Sequence, residues 1–140
     1  MDLLKRLNRH PFYGQLPPKS LGREFFEENQ KGLLNDLPME NMLATFVEHI
    51  ALQIALPISF LPKGKILCTG GGARNKYLIE RLQARTKHEV VVPKKMIIDY
   101  KEALVFAFLG LLRMEGKTNV LASVTGAESD SCSGRIWKPC

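Results

Sequence analysis

The chain has 140 residues, 45% of them hydrophobic and 24% charged, enough to bury one core and ordinary for a soluble globular protein. Its 20 Lys and Arg outweigh 14 Asp and Glu to give a net charge of +6. The cations are scattered and no aromatics are interleaved with them, so the pattern is that of a solvated surface, suits anionic small ligands, and argues against nucleic acid. Residues 1–10 hold no long apolar core and the sequence has no run of about 18 apolar residues, so neither a signal peptide nor a membrane partner is expected.

Cys68, Cys132 and Cys140 cannot all pair within one chain, and none sits in a C-x-x-C arrangement. No metal site or disulfide framework is therefore expected, and a reducing, cytoplasmic setting fits.

Leu3, Leu4 and Leu7 have helical spacing, and Pro11 ends that helix near His10. From Phe12 to Phe26 the chain should run extended, because Pro17 and Pro18 deny it a helix. This stretch ends in Lys19, Ser20, Gly22 and Arg23, a set equipped to hold an anion and equally consistent with a surface loop. Asp36 and Pro38 mark a helix start. From there Leu43, Phe46, Val47, Ile50, Ala51, Ile54 and Ala55 recur at three and four, which predicts a long amphipathic helix with its apolar face on a sheet. Pro57 ends or kinks it, and Pro62-Lys63-Gly64 turns the chain.

A strand over Lys65–Thr69 follows, then the glycine turn Gly70-Gly71-Gly72, then a helix from Lys76 to Arg85. Glu89 to Val92 is a second strand, whose three consecutive valines predict burial on both faces. Strand, helix and strand in this order predict a parallel βαβ unit. Asp99 with Glu102 three residues on matches a capping box and opens a last helix. Leu104, Val105, Phe108, Leu109 and Leu112 form its apolar stripe, and Gly116 is placed as its cap. Residues 119–140 read as an irregular tail. The whole reads as one domain, 1–140, with 1–37 a helix and proline-rich loop leading in.

The glycine turn is the chain's most informative feature. Glycine lacks Cβ, so backbone can approach a flat ligand there, and the following helix presents free N–H groups. The same residues also make a tight βα turn with Asn75 as helix N-cap, and both readings stay open. Gly116-Lys117-Thr118 completes a phosphate loop poorly, because Gly110 is one residue too far upstream. A dinucleotide fingerprint is a near miss: Asn75 replaces the third glycine, and Pro93-Lys94-Lys95 follows the second strand where an acid is needed.

Taken together, Pro17-Pro18-Lys19-Ser20-Leu21-Gly22-Arg23-Glu24, Ala44-Thr45, Gly70-Gly71-Gly72-Ala73-Arg74-Asn75, Glu102-Ala103 with Phe106-Ala107, and Val124-Thr125-Gly126-Ala127 closely resemble, in order and spacing, the C-terminal part of anhydro-N-acetylmuramic acid kinase. The resemblance covers nearly all 140 residues. It implies the sugar kinase, heat-shock ATPase and actin superfamily, and hence an α/β fold class: a partial actin-like ATPase lobe with a short, mostly parallel βαβ sheet packed by several helices. It implies ATP with magnesium, the metal held mainly by the missing lobe, and an anhydro sugar that is opened and phosphorylated to N-acetylmuramic acid 6-phosphate in murein recycling by bacteria.

By position, Gly70, Gly71, Gly72 and Asn75 would border adenosine. Lys19, Ser20, Gly22 and Arg23 would lie near nucleotide or cleft, though Leu21 stands where the family usually has threonine. Glu102 would face the sugar or serve only the capping box. Thr125 and Gly126 shape the tail. No catalytic residue is assigned: Asp2, Asp36, Asp99 and Asp130 lack the D-x-G context of the phosphate loops, and the family's general base lies in the other lobe. Phosphoryl transfer rests on positioning and charge around metal and phosphates, so the chain alone is expected to be inactive. An N-terminal kinase lobe or a second copy are the partners implied. The alternative is a stand-alone, non-catalytic nucleotide-binding module for ATP or NADP.

Overall fold

The computed structural model of the chain describes residues 2–16, 19–34 and 38–137. Pro17, Pro18, Asp36 and Cys140, on which expectations above were placed, lie outside them. The chain divides into two compact units, Met1–Lys94 and Lys95–Cys140.

In the first unit, helix α1 (Asp2–Asn8) ends ahead of Pro11, as the proline requires. Pro11–Gly14 then winds as a 3-10 turn, and helix α2 starts at Arg23 and runs to Asn29. The extended run expected up to Phe26 is thus interrupted at both ends. Proline is tolerated in a first helical turn, where its missing N–H is not needed, and Gly22 at the N-cap position releases α2. A second 3-10 turn covers Lys31–Leu34. Helix α3 (Met39–Ala55) begins just after Pro38 and gives way at Leu56–Ile58 to a 3-10 turn containing Pro57.

Strand β1 (Lys65–Leu67) and strand β2 (Glu89–Val91) flank helix α4 (Lys76–Arg85) and pair in parallel, Ile66 opposite Val90. This is the expected βαβ unit. The valines of β2 are not enclosed on both faces: Val90 and Val91 are half-buried and Val92 is 40% exposed, in a sheet that has two strands among the described residues.

Two apolar clusters hold this unit. Leu3, Leu7 and Leu34 form one, with Phe26, Leu33, Met42 and Phe46 packed around it. Ala51, Ala55 and Leu82 form the other, joined by Cys68, Leu78 and Val90. The main neighbours of α3 are therefore α4 and α1 rather than the sheet expected from the sequence, whose Val90 packs on the same cluster. Glu48 of α3 reinforces the seam by pairing with Arg81 and Arg85 of α4. Burial works to raise the Glu48 carboxyl, but the hydrogen bonds from Arg85 and Arg81 outweigh it and hold the group below its ordinary value. The segment Met39–Ile58 is long and apolar enough to cross a membrane by length and composition, yet its Glu48 and His49 are both engaged within this unit.

His49 is 2% exposed and Gln30 5% exposed, and they anchor a polar chain that ties the leading segment to α3. Gln30 Nε2 donates to the Tyr13 hydroxyl at 2.6 Å, Tyr13 donates to His49 Nε2 at 2.9 Å, and His49 Nδ1 donates to Asn8 Oδ1 at 2.7 Å. Gln53 donates to the same Asn8 oxygen at 2.8 Å. The network assigns the imidazole its Nδ1–H tautomer. Buried polar groups need such partners, and here each found one. His88, 4% exposed, is a second staple: Gly64 N–H donates to its Nδ1 at 3.1 Å and its Nε2 donates to Ile58 O at 2.9 Å. It fastens the 56–64 turn to the start of β2.

In the second unit, helix α5 (Lys95–Met114) starts four residues before Asp99. The expected capping box is thus not a cap: Asp99 lies inside the helix and pairs with Lys95 one turn back. The C-terminus is as expected. Gly116 has φ +67, Gly116 N–H donates to Arg113 O and Lys117 N–H to Leu112 O, the paired bonds of a Schellman end. The apolar stripe is largely uncovered, with Leu104 64% and Phe108 57% exposed. Leu109 and Leu112 are half-buried. The tail is held by an isolated bridge between Val120 and Ser131 and by Asn119, which bonds Leu109 O, Ser133 O and Ser133 N. A single-turn helix α6 (Ala122–Thr125) ends at Gly126 in the left-handed region.

Burial lowers the His49 pKa, so the unfolded chain binds its proton more readily. Stability from this site is complete above the unfolded value near 6.5 and is lost as pH falls below it. Urea midpoints should therefore drop between about pH 7.5 and 5.5, and His49→Gln should flatten that part of the curve. Replacing His88 with Ala should cost about 1–3 kcal/mol in the same experiment, because Gly64 N–H loses its acceptor.

Candidate functional site

The glycine turn sits at the carboxyl end of β1, where open α/β sheets take their ligands. Gly70 has φ 78 and ψ −176, a conformation essentially restricted to glycine. Gly71 opens a 3-10 turn running to Arg74, closed by Ala73 N–H to Gly70 O at 3.1 Å and Asn75 N–H to Gly72 O at 3.0 Å. A Cβ built on Gly70 or Gly71 would meet nothing within 4 Å, while one on Gly72 would meet Leu78 Cδ2 at 3.8 Å. The turn is therefore open at its first two glycines and leans on α4 at the third. Ala73 is buried beneath it, which fixes the turn to the unit.

Asn75 takes the cap role. Its Oδ1 accepts from Leu78 N–H at 3.1 Å, at the start of α4. The side-chain oxygen thereby serves the start of the helix. Cys68 lies just before the turn, half-buried, with its thiol pushed up by burial.

The second group of expected residues is bound locally. Lys19 Nζ donates to Phe12 O at 3.0 Å and Tyr13 O at 3.2 Å and lies 5.0 Å from the centre of the Phe12 ring. The ammonium thus braces the 3-10 turn at Pro11–Gly14. Ser20 is exposed. Gly22 is the N-cap position of α2, where a Cβ would collide with the Glu24 carboxylate. Arg23 pairs with Glu27 one turn on, at 3.5 Å. The hydrogen bonds and ion pair of Lys19 and Arg23 thus run to Phe12, Tyr13 and Glu27. Glu102 is exposed on α5, in the second unit.

Cavities among the described residues lie elsewhere. One of about 480 Å³ is lined by Ile79, Glu80, Gln83, Ala84 and Val90. Another of about 680 Å³ lies between the end of α5 and the tail, with Phe106, Met114 and Ile136 in its wall. Sequence reasoning passed over the chain of Asn8, Tyr13, Gln30 and His49. The available signal was a histidine on the apolar stripe of α3, but its partners are 36 and 41 residues away and carry no spacing that announces them.

Gly70→Ala should lower stability by about 1–3 kcal/mol, the cost of an L residue in that backbone conformation, read as a shift in the urea midpoint. Asn75→Ala should cost about 1 kcal/mol through the lost cap.

Comparison with known proteins agrees with the sequence motifs. The family model described as anhydro-N-acetylmuramic acid kinase matches residues 1–139. Among curated relatives bearing that name, the protein of Mannheimia succiniciproducens is 36% identical over 96% of this chain and 40% of its own length. That of Saccharophagus degradans is 32% identical over 98% of this chain and 39% of its own length. That of Picosynechococcus sp. is 36% identical over 99% and 40%. The chain thus spans about 40% of the length of the curated relatives it matches. With a glycine turn in a parallel βαβ unit and a match running almost end to end, the chain belongs to the anhydro-N-acetylmuramic acid kinase family.

Proposed function

We propose that this chain is the C-terminal lobe of an anhydro-N-acetylmuramic acid kinase, that its glycine turn receives the adenosine side of ATP, and that it performs no phosphoryl transfer by itself. The observation that carries this reading is the open backbone at Gly70 and Gly71, at the carboxyl end of β1, where added side-chain atoms would meet empty space. A flat base and ribose need that approach, and the turn's fixed shape supplies it without reorganisation. ATP supplies the phosphoryl group. What this chain contributes is a rigid backbone ledge, set by Gly70, Ala73 and the Asn75 cap.

Among the described residues there is no group of three or more His, Cys, Asp or Glu able to hold a metal, and in this reading magnesium is held mainly by the remaining polypeptide of the family's proteins. In the same reading the catalytic carboxylate and most sugar contacts come from it too. Glu102 is the side chain proposed to face the sugar, and the 19–23 loop to border the cleft, its ammonium held as a strut rather than presented as a free cation. Opening the anhydro bridge and phosphorylating the sugar is the activity of the completed enzyme, placed by this reading in the bacterial cytoplasm.

The test uses calorimetry and a coupled assay. The 140-residue chain should bind ATP weakly and turn over no anhydro sugar alone, and should gain turnover when joined by the unmatched part of a full-length relative. Gly71→Ala should leave the urea midpoint nearly unchanged, within about 0.5 kcal/mol, yet weaken ATP binding at least tenfold. Robust turnover by the chain alone would overturn the lobe assignment, and tighter binding of NADP than of ATP would favour a dinucleotide module instead.

A further inference from the structure

The glycine turn supplies a bare backbone edge but no flat face on which a base can lie. Its inner side is already filled: Ala73 is buried under the turn, and Leu78 reaches to 3.8 Å from where a Gly72 side chain would begin. The side chains bordering the turn come from the first turn of α4. A helical side chain leans back over the turn that precedes its own Cα. Tyr77, the second residue of α4, is therefore cast toward the glycine turn rather than down the helix.

Tyr77 also stands on a different flank from Leu78, because successive helical residues are about 100° apart. Leu78 and Leu82 turn inward to the cluster with Ala51. Ile79, on the other side of Leu78, lines the cavity beside Val90. Tyr77 itself is 42% exposed. One turn on, Arg81 is tied back to Glu48 of α3, which leaves the ring of Tyr77 as the first uncommitted group on that flank. The other two tyrosines are placed elsewhere. Tyr13 is locked between Gln30 and His49, and Tyr100 lies in the second unit. The aromatic pairs of the first unit gather in the leading segment and α3, and among the described residues Tyr77 joins none of them.

We propose that Tyr77 is a specificity-determining residue of the nucleotide site, its ring being the platform on which a purine base stacks beside the glycine ledge. This rests on the lobe reading above and deepens it, since it gives the site a means of choosing its base. A stack reads ring area and not hydrogen-bonding pattern. It therefore favours both purines over a pyrimidine and separates adenine from guanine little.

The experiment is proton NMR of the 140-residue chain titrated with ATP, GTP and CTP, following the tyrosine ring signals, with those of Tyr77 assigned by their loss in Tyr77→Phe. ATP should shift the Tyr77 signals upfield and leave those of Tyr100 in place. Dissociation constants for ATP and GTP should agree within about threefold, and that for CTP should be at least fivefold weaker, the low end of what one base–aromatic stack contributes. Tyr77→Ala should weaken ATP by at least the same factor and bring it level with CTP, with the urea midpoint unchanged. Tyr77→Phe, which keeps the ring, should recover both affinity and preference. Tyr77 signals that stay in place while ATP binds, CTP binding as tight as that of ATP, or ATP affinity that survives Tyr77→Ala would each overturn the proposal. Gly71→Ala reads the ledge separately. If it weakens ATP tenfold while Tyr77→Ala does not, only the stack falls. If Tyr77→Ala weakens ATP while Gly71→Ala does not, only the ledge reading falls. Binding of none of the three nucleotides sinks both.

Discussion

The contact on which the first unit depends is that between two alanines of α3 and a leucine of α4. Ala51 is fully buried, Ala55 is 4% exposed and Leu82 is 1% exposed. Small side chains let the helices approach until Leu82 fills the gap between them, and burial of that one side chain contributes about 1.5–3 kcal/mol. Position matters as much as magnitude. Because α4 follows the glycine turn directly, docking α4 on α3 also sets where the turn points. Glu48, reaching from α3 to Arg81 and Arg85, holds the rotation of α4 about that contact. Leu78, one turn before Leu82, then lies under Gly72. The ledge at Gly70 and Gly71 is thus supported from below by a packing decision made on another helix.

The leading segment is built on a different principle. Leu3, Leu7 and Leu34 give it a small apolar centre against Met42 and Phe46 of α3, and a polar network of Asn8, Tyr13, Gln30 and His49 ties it to the same helix. Such a network is worth its desolvation only when every member is satisfied. Burial raises the Tyr13 hydroxyl, with the Gln30 hydrogen bond working against it, and lowers His49. Both groups are thereby held neutral, the state the donor-to-acceptor sequence requires. Around them His10, Phe12, Tyr13 and Phe25 pack edge to face, so a segment without long regular elements still has a fixed shape.

Local signals made much of this legible in the sequence. The βαβ order, the end of α1 before Pro11, the start of α3 after Pro38 and the Schellman end at Gly116 all follow from glycine, proline and periodicity, which act over a few residues. The glycine turn was legible for the same reason, since a run of three glycines between a strand and a helix has few conformations to adopt. What escaped was non-local. The start of α5 was placed at Asp99 because a capping box was visible there, whereas the helix begins directly after Pro93 and Lys94 and runs through it. The valines of β2 suggested burial on both faces, but enclosure depends on neighbours the two-stranded sheet lacks. Lys19 looked like a free cation, and only the fold shows it folded back on the carbonyls of Phe12 and Tyr13.

The clasp between His88 and Gly64 has a kinetic consequence. It joins residues 24 apart in the chain, and a flexible loop of that length closes at an entropic cost set by its ends being brought together. Ten of the intervening residues form α4, which shortens the path once it forms, at about 1.5 Å per residue. Zippering of the parallel ladder therefore waits on the coil between its rails. A chain emerging from synthesis must complete residues through His88 before the imidazole can latch, and through Val91 before β1 has its whole partner strand.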